Sequence, residues 1–236
     1  MSGLYVTGTD TGIGKTVASA ALLHALRMRS LRAVGMKPLA SGCEAGEQGW
    51  RNEDALALLA ASDPRPAYDD LNPYALPAPL APEIAAREAG VAIDPARLDA
   101  AFARLRAQAD HVVVEGVGGW AAPLSATLDQ ADLARRWELP VVLVVGLRLG
   151  CINHARLTAR AIAADGLPLL GWIANEVDPA MARLEENLAL LQDRLHAPCL
   201  GRIPHRPQAE AAQRGALLRL PADFARPGAP APLLRA

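Results

Sequence analysis

The chain has 236 residues, 51% of them hydrophobic, 21% charged and 4% aromatic, with a formal net charge of −1. That length can bury one substantial core, and the near-neutral balance argues against a nucleic-acid surface or a disordered acidic chain and for a small neutral or anionic substrate. Cys43, Cys151 and Cys199 stand far apart with no CxxC pair, which argues against a disulfide framework or zinc knuckle and for a reducing cytoplasm.

In chain order, the strand-like run LYVTG opens the sequence with no basic-then-apolar signal segment before it. Further short β-branched runs, AVGMKP, HVVVEG, VVLVVG and GWIANEV, read as buried strands, with Leu200 to Pro204 a last one. Helical patterns at Lys15 to Met28, Glu53 to Ala61, Pro95 to Ala109, Leu128 to Trp137, Asn153 to Ala164 and Pro179 to Leu195 fill most gaps as crossovers. The alternation predicts an α/β fold: one domain over 1–220, with a mostly parallel sheet covered by helices on both faces and ligands at the strands' carboxyl ends. The longest dense apolar run, Leu139 to Leu147, is too short to cross a bilayer. Between Asp63 and Pro82, the prolines at 64, 66, 73, 77, 79 and 82 forbid regular helix and central strand, so the segment reads as a surface excursion that could lie over the site. The Pro- and Ala-rich end over 221–236 reads as a tail.

Gly8-Thr-Asp-Thr-Gly-Ile-Gly14-Lys15-Thr16 follows a strand and opens a helix, the context a phosphate loop needs. Its glycines let the backbone curl so that N–H groups and the helix amino end face phosphate oxygens. Lys15 adds positive charge, and Thr16 can place its hydroxyl on magnesium. Gly8 and Gly14 are one residue further apart than the usual spacing. The bland reading is a glycine-capped turn with an incidental Lys-Thr.

Glu115 ends HVVV and precedes Gly116, Val117 and two glycines, at a strand end where a hard metal would find a carboxylate; a loop cap is the alternative. Asp54, in the first turn of a helix, is the other metal candidate, or simply matches the helix dipole. Lys37 ends AVGMKP before the Ser41-Gly42 turn. Its charge should lie beside the phosphate loop, from a strand flanking the first, for an electrostatic role in phosphoryl transfer; a solvated side chain is the other reading. Gly150-Cys151-Ile152-Asn153-His154 opens a helix whose N–H groups suit a substrate carboxylate, with Asn153 as a plain N-cap the alternative. The turn at Ala174-Asn175-Glu176 could offer an amide to a nucleobase, or be an ordinary turn.

Together these stretches resemble dethiobiotin synthetase along almost the whole chain: VTGTDTGIGKT, KPLASG, RNEDALAL, NPY at Asn72 to Tyr74, VVVEGVGGW with Pro123-Leu124, LPVVLVVGLRLGCINHA and GWIANEV. The phosphate loop's extra residue is itself this family's form. The resemblance implies that 7,8-diaminononanoate, carbon dioxide and MgATP give dethiobiotin, ADP and phosphate, through a carbamate and a carbamic-phosphoric anhydride. It implies Thr16, Asp54 and Glu115 as magnesium ligands, Lys15 and Lys37 as stabilisers of carbamate and phosphate charge, and Thr11 and Ser41 as contacts to the carbamate region. Gly12, Ile13, Gly14, Lys15, Thr16 and Val17 would cradle the phosphates, with Glu115, Gly116, Val117 and Gly118 adding contacts. Asn175, Glu176, Pro204, His205 and Arg206 would lie by the adenine. Gly150, Cys151 and Asn153 would hold the substrate carboxylate from the neighbouring subunit of a homodimer. Gly12 stands where some members carry glutamate, and the stretch after Pro204 departs from the family pattern, leaving Glu210 or nothing for the ribose. The rivals are a partitioning-type switch ATPase, which usually has an extra lysine early in this loop where Thr9, Asp10 and Thr11 stand, and an amidotransferase-linked synthase, for whose glutaminase domain the chain has no room. An inactive paralogue is a third reading.

Overall fold

The computed structural model describes residues 3–221 and residue 224. Strand β1 (Gly3–Gly8) is buried throughout and runs through the glycine-rich loop into helix α1 (Lys15–Arg27). Strand β2 (Ala33–Met36) leads to β3 (Leu39–Ser41) and a hairpin of β4 (Glu44–Gly46) and β5 (Gly49–Arg51). Asn52 then caps α2 (Glu53–Ala61), its Oδ1 accepting from the backbone N–H of Asp54 and Ala55 at 3.1 and 3.3 Å. Next come α3 (Tyr68–Leu71), β6 (Tyr74–Leu76), α4 (Pro82–Glu88), α5 (Pro95–Gln108) and β7 (His111–Glu115). β8 (Pro123–Ser125) and β9 (Leu128–Asp129) form an antiparallel pair before α6 (Gln130–Arg136). The rest runs β10 (Val141–Leu147), α7 (Cys151–Ala164), β11 (Leu169–Glu176), α8 (Leu184–Arg194), β12 (Cys199–Ile203) and α9 (Ala211–Gly215).

The six runs read as strands are the six of the central sheet, ordered β12-β11-β10-β1-β7-β2 and parallel at every pairing. Their near-continuous apolar character follows from burial on both faces. Residues alternate between two cores: Leu4 and Val6 pack with α1 and α2, whereas Tyr5, between them, packs with α5, α6 and α7. The mostly parallel sheet with helices on both faces is therefore as expected. The carboxyl ends of β1, β7 and β10 sit side by side, with β2 one place further out.

Five expectations need correction. Lys37 does not come from a strand beside β1, because β7 lies between β1 and β2. The helices read from Leu128 and Pro179 begin later: Leu128 and Asp129 form β9, and Arg183 takes a left-handed backbone (φ 53) that a right-handed helix cannot run through, so α8 opens at Leu184. The helix read from Asn153 begins earlier, at Cys151, because Gly150 takes φ 95 and caps it. The proline-rich segment holds a one-turn helix, α3, between Pro66 and Pro73, and Pro82 opens α4 as its first residue. Leu71, Asn72, Tyr74 and Leu76 within it are buried, so it packs into the molecule. The tail assigned to 221–236 lies outside the described residues, apart from Pro221 and Phe224.

The sheet also seats the phosphate loop. Ile13 is 1% exposed and lies flat on β10, where a Cβ added at Gly146 would meet Ile13 Cβ at 2.7 Å and Cγ2 at 2.8 Å. Gly146→Ala should therefore destabilise the protein by about 1–3 kcal/mol through overpacking, read as a lower urea midpoint at unchanged slope. A wild-type midpoint would mean that Ile13 is not held there.

Candidate functional site

At the end of β1 the chain turns through Gly12 (φ 73) and Gly14 (φ 81), and α1 begins with no side chain capping it. Its first N–H groups are thereby left for a ligand. Gly14 also has no room for a side chain, since a Cβ would lie 2.1 Å from Asn175 Nδ2, which donates to Ile13 O at 2.9 Å. Asn175 at the end of β11 thus props the loop from below.

Lys15 Nζ donates to Asp10 O at 2.9 Å. Burial, and then the charge of Lys37, lower its pKa to about 8 despite Glu115, Asp54 and Asp10 nearby. The Asp10 carboxylate is held well below the usual range, chiefly by the N–H of Thr11 and also by an ion pair with Arg148 in the loop after β10.

Lys37 lies just beyond β2 and is 3% exposed. Its ammonium donates to Glu115 Oε1 at 2.6 Å, Asp54 Oδ2 at 2.9 Å and Gly116 O at 3.2 Å, so each proton has an acceptor. Burial alone would favour the neutral amine, but the two carboxylates outweigh it and raise the pKa. In return Lys37 and Thr16 overcome the burial that would raise Asp54, whose pKa is lowered.

Thr16 Oγ1 lies 2.6 Å from Asp54 Oδ1 and 2.9 Å from Glu115 Oε1. One hydroxyl proton cannot serve both carboxylates. Glu115 Oε2 is buried with no hydrogen-bond partner. Three hard oxygens thus converge with acceptor capacity left over, the donor chemistry that suits a small hard cation. Among the described residues no three of His, Cys, Asp and Glu gather into a metal cage, so such a cation would complete its shell from elsewhere.

These groups line a cavity of about 380 Å³ with Thr11, Gly12, Val17, Ala40, Ser41, Asn52, Val117 and Gly118. Gly12, Gly14 and Val17 also border a second cavity of about 290 Å³, walled by Asn175, Glu176, Pro204, His205, Arg206 and Arg214 among others. The two cavities flank the loop and share Gly12, Gly14 and Val17 as a common border. Glu176 is engaged there, pairing with Arg202 and accepting from His205 N at 3.2 Å. Gly150, Cys151 and Asn153 line neither cavity. Asn153 is the third residue of α7 rather than its N-cap, which corrects the bland reading of it. A larger groove of about 680 Å³ near Asp99 and Trp137 shares no lining residue with these cavities, and its Asp99 is already engaged by Arg136 and Trp137.

Sequence reasoning missed Asn52, although an Asn before Glu-Asp at a helix start is an N-cap signature. It also missed Gln130 and the Asp10–Arg148 pair, whose partners lie over a hundred positions away for Thr7 and Gln130 and for Asp10 and Arg148, and have no local signal.

A family model described as an AAA domain matches residues 2–213. The chain is 72% identical over 217 residues to the ATP-dependent dethiobiotin synthetase BioD of Xanthomonas oryzae pv. oryzae (strain PXO99A), across 92% of this chain and 97% of that protein. It is 70% identical over 207 residues to the protein of the same name from Xylella fastidiosa (strain 9a5c), across 88% and 92%. Among solved structures it is similar to a ParA family ATPase from Chlorobium tepidum TLS, with TM-score 0.54 and 14% identity over 90% of this chain and 89% of the other. It is likewise similar to the MinC:MinD cell division protein complex of Aquifex aeolicus, with TM-score 0.53 and 16% identity over 91% and 86%. At those identities the structural likeness concerns the fold alone.

The lowered pKa of Lys15 gives a pH prediction. The charged form binds phosphate and the free loop loses that charge as pH rises through about 8, so ADP affinity should be full below that pH. It should fall by up to about fivefold from pH 8 to pH 9. Calorimetric titration against Lys15→Arg, whose guanidinium stays charged, checks this: equal pH dependence in both proteins would remove Lys15 as the cause.

Proposed function

The chain belongs to the ATP-dependent dethiobiotin synthetases, and from that premise we propose that it closes the cyclic urea of dethiobiotin from 7,8-diaminononanoate, carbon dioxide and ATP in biotin biosynthesis. The observation that carries the reading is the buried Lys37–Glu115 pair, joined by the half-exposed Asp54 and facing Thr16, in the cavity over the phosphate loop.

The nucleotide's phosphates lie on the amino end of α1 between Gly12 and Val17, with Lys15 moving from Asp10 O to a phosphate oxygen. The base occupies the second cavity, between Asn175 and the loop at Pro204 to Arg206. Thr16, Asp54 and Glu115 would hold magnesium, a role supported by the shared hydroxyl proton and the unpartnered Glu115 Oε2. When bound, magnesium supplies charge neutralisation and orientation of the phosphate oxygens.

One amine of the substrate captures carbon dioxide as a carbamate near Thr11 and Ser41. A carbamate oxygen attacks the γ-phosphorus, the bond to ADP breaks, and the second amine then displaces phosphate as the ring closes. Lys37 stabilises charge that builds on the carbamate and the transferred group, and Lys15 that on the phosphates. The chain's contribution is positioning and fixed charge.

The substrate carboxylate is taken by Gly150, Cys151 and Asn153 of a second copy, which makes the active unit a homodimer. Support comes from their absence from this chain's cavity and from the exposure of Leu149 (92%) and Leu157 (53%) beside them. A cytoplasmic location agrees with three cysteines that form no disulfide. The switch ATPases share the sheet and are not favoured, because relatives of about 70% identity carry the synthetase name.

Phosphate release from MgATP should depend on both the diamine and bicarbonate, with dethiobiotin appearing by mass spectrometry. Release that ignores the diamine would sink the reading. Lys37→Ala should lower turnover by about a hundredfold or more while ADP affinity falls far less. An equal loss of affinity would make Lys37 a phosphate anchor.

A further inference from the structure

Gln130, the first residue of α6, is fully buried and belongs to none of the roles above. Its Oε1 accepts from Val117 N at 2.5 Å, and its Nε2 donates to Gly119 O at 2.7 Å and reaches Thr7 Oγ1 at 3.3 Å. Thr7 lies in β1 directly before Gly8, the strand's last residue, where the phosphate loop begins. One amide therefore joins the strand that carries the phosphate loop to the loop that follows Glu115. The fit is close: a Cβ at Gly116 would stand 2.1 Å from Gln130 Oε1.

The peptide between Gly116 and Val117 gives this contact a consequence. A trans peptide is planar, so its N–H and C=O point in opposite directions. The N–H is directed at Gln130, and the C=O of the same unit is the acceptor of Lys37 Nζ at 3.2 Å. Orienting one end orients the other.

We propose that Gln130 is a positioning residue for the phosphoryl-transfer site, setting the 116–117 peptide that receives Lys37 and thereby the register of Lys37 and Glu115. The role needs an acceptor for Val117 N–H above all. Methionine fills the space but offers only a weak thioether acceptor, whereas an ionised glutamate keeps the oxygen acceptor and loses both donors. The proposal rests on the synthetase reading for its turnover readout, but not for its binding readout.

The test compares Gln130→Met and Gln130→Glu with wild type in turnover, in thermal midpoint, and in the ratio of ADP affinities with and without magnesium. Gln130→Met should lose turnover by about tenfold to a hundredfold, the scale of a misplaced catalytic group, and its magnesium-dependent affinity ratio should shrink by about threefold or more. Gln130→Glu should keep both within about fivefold of wild type, even with a lowered thermal midpoint. Normal turnover and ratio in Gln130→Met, or equal losses in both variants, overturn the proposal. Should Gln130→Met not fold, Gln130→Glu decides: turnover and ratio kept within that range uphold it, and loss of either overturns it. The ratio needs neither diamine nor bicarbonate, so its failure is separable from failure of the synthetase reading.

Discussion

The ammonium of Lys37 is almost wholly removed from water, and a charge so placed persists only where every proton finds an acceptor and a counter-charge stands close. Here the acceptors come from three places: Glu115 at the end of β7, Asp54 on α2, and the peptide carbonyl of Gly116. Thr16 on α1 closes the group by touching both carboxylates. Removing Glu115, the partner buried as deeply as Lys37, would leave that charge with only the half-exposed Asp54 opposite it, and breaking a buried pair costs about 3–5 kcal/mol. The packing around the site can be traced from this constraint. Asn72 donates to Lys37 O at 2.7 Å, Tyr68 joins Asn72 to the backbone of Asn52, and Asn52 caps the helix that presents Asp54. The proline-rich segment that looked like a surface excursion is therefore the backing of Lys37.

Much of this was legible in the sequence because it is local. A strand, a glycine-rich turn and a Lys-Thr at a helix start specify a phosphate loop through backbone geometry alone, and Gly14 meets that need with φ 81. Glu115 and Asp54 were readable for the same reason, one at the end of an apolar run and one in a helix's first turn. What could not be read was adjacency between elements. Whether β2 or β7 lies against β1 depends on which crossover packs where, and no residue near Lys37 records it. Gln130 shows the limit most plainly: a glutamine between aspartates at the start of a short helix carries the signature of a solvated residue, and only the fold turns it inward to Thr7 and Val117.

Helix boundaries failed for a related reason. The helical pattern of α8 reads back to Pro179, but Arg183 takes a left-handed backbone (φ 53) that interrupts a right-handed helix, so α8 opens only at Leu184. At α7 the error ran the other way. Gly150 can adopt a φ of 95 without steric cost, so the helix starts two residues before Asn153 and its amino end is left bare of any side-chain cap. The same device opens α1 at Gly14. Both helices that follow a strand's end with a left-handed glycine thus leave amino-end N–H groups without a side-chain cap, the geometry in which a helix start can receive an anion.

The fold itself does not choose between a switch and a synthetase, since partitioning-type ATPases share this sheet at low identity. A switch needs segments with two arrangements of similar energy, released when a phosphate leaves. The groups around Lys37 are of the opposite kind. Lys37 has three acceptors, Gln130 engages a donor and two acceptors, and Asn175 ties the phosphate loop to β11. Letting go of any of these would strand a buried polar atom, so the site has one favoured arrangement before any ligand arrives. Such rigidity suits chemistry in which fixed charges must already stand where a carbamate, a phosphoryl group and an amine are to meet, because reorganisation at the moment of reaction would itself add to the barrier.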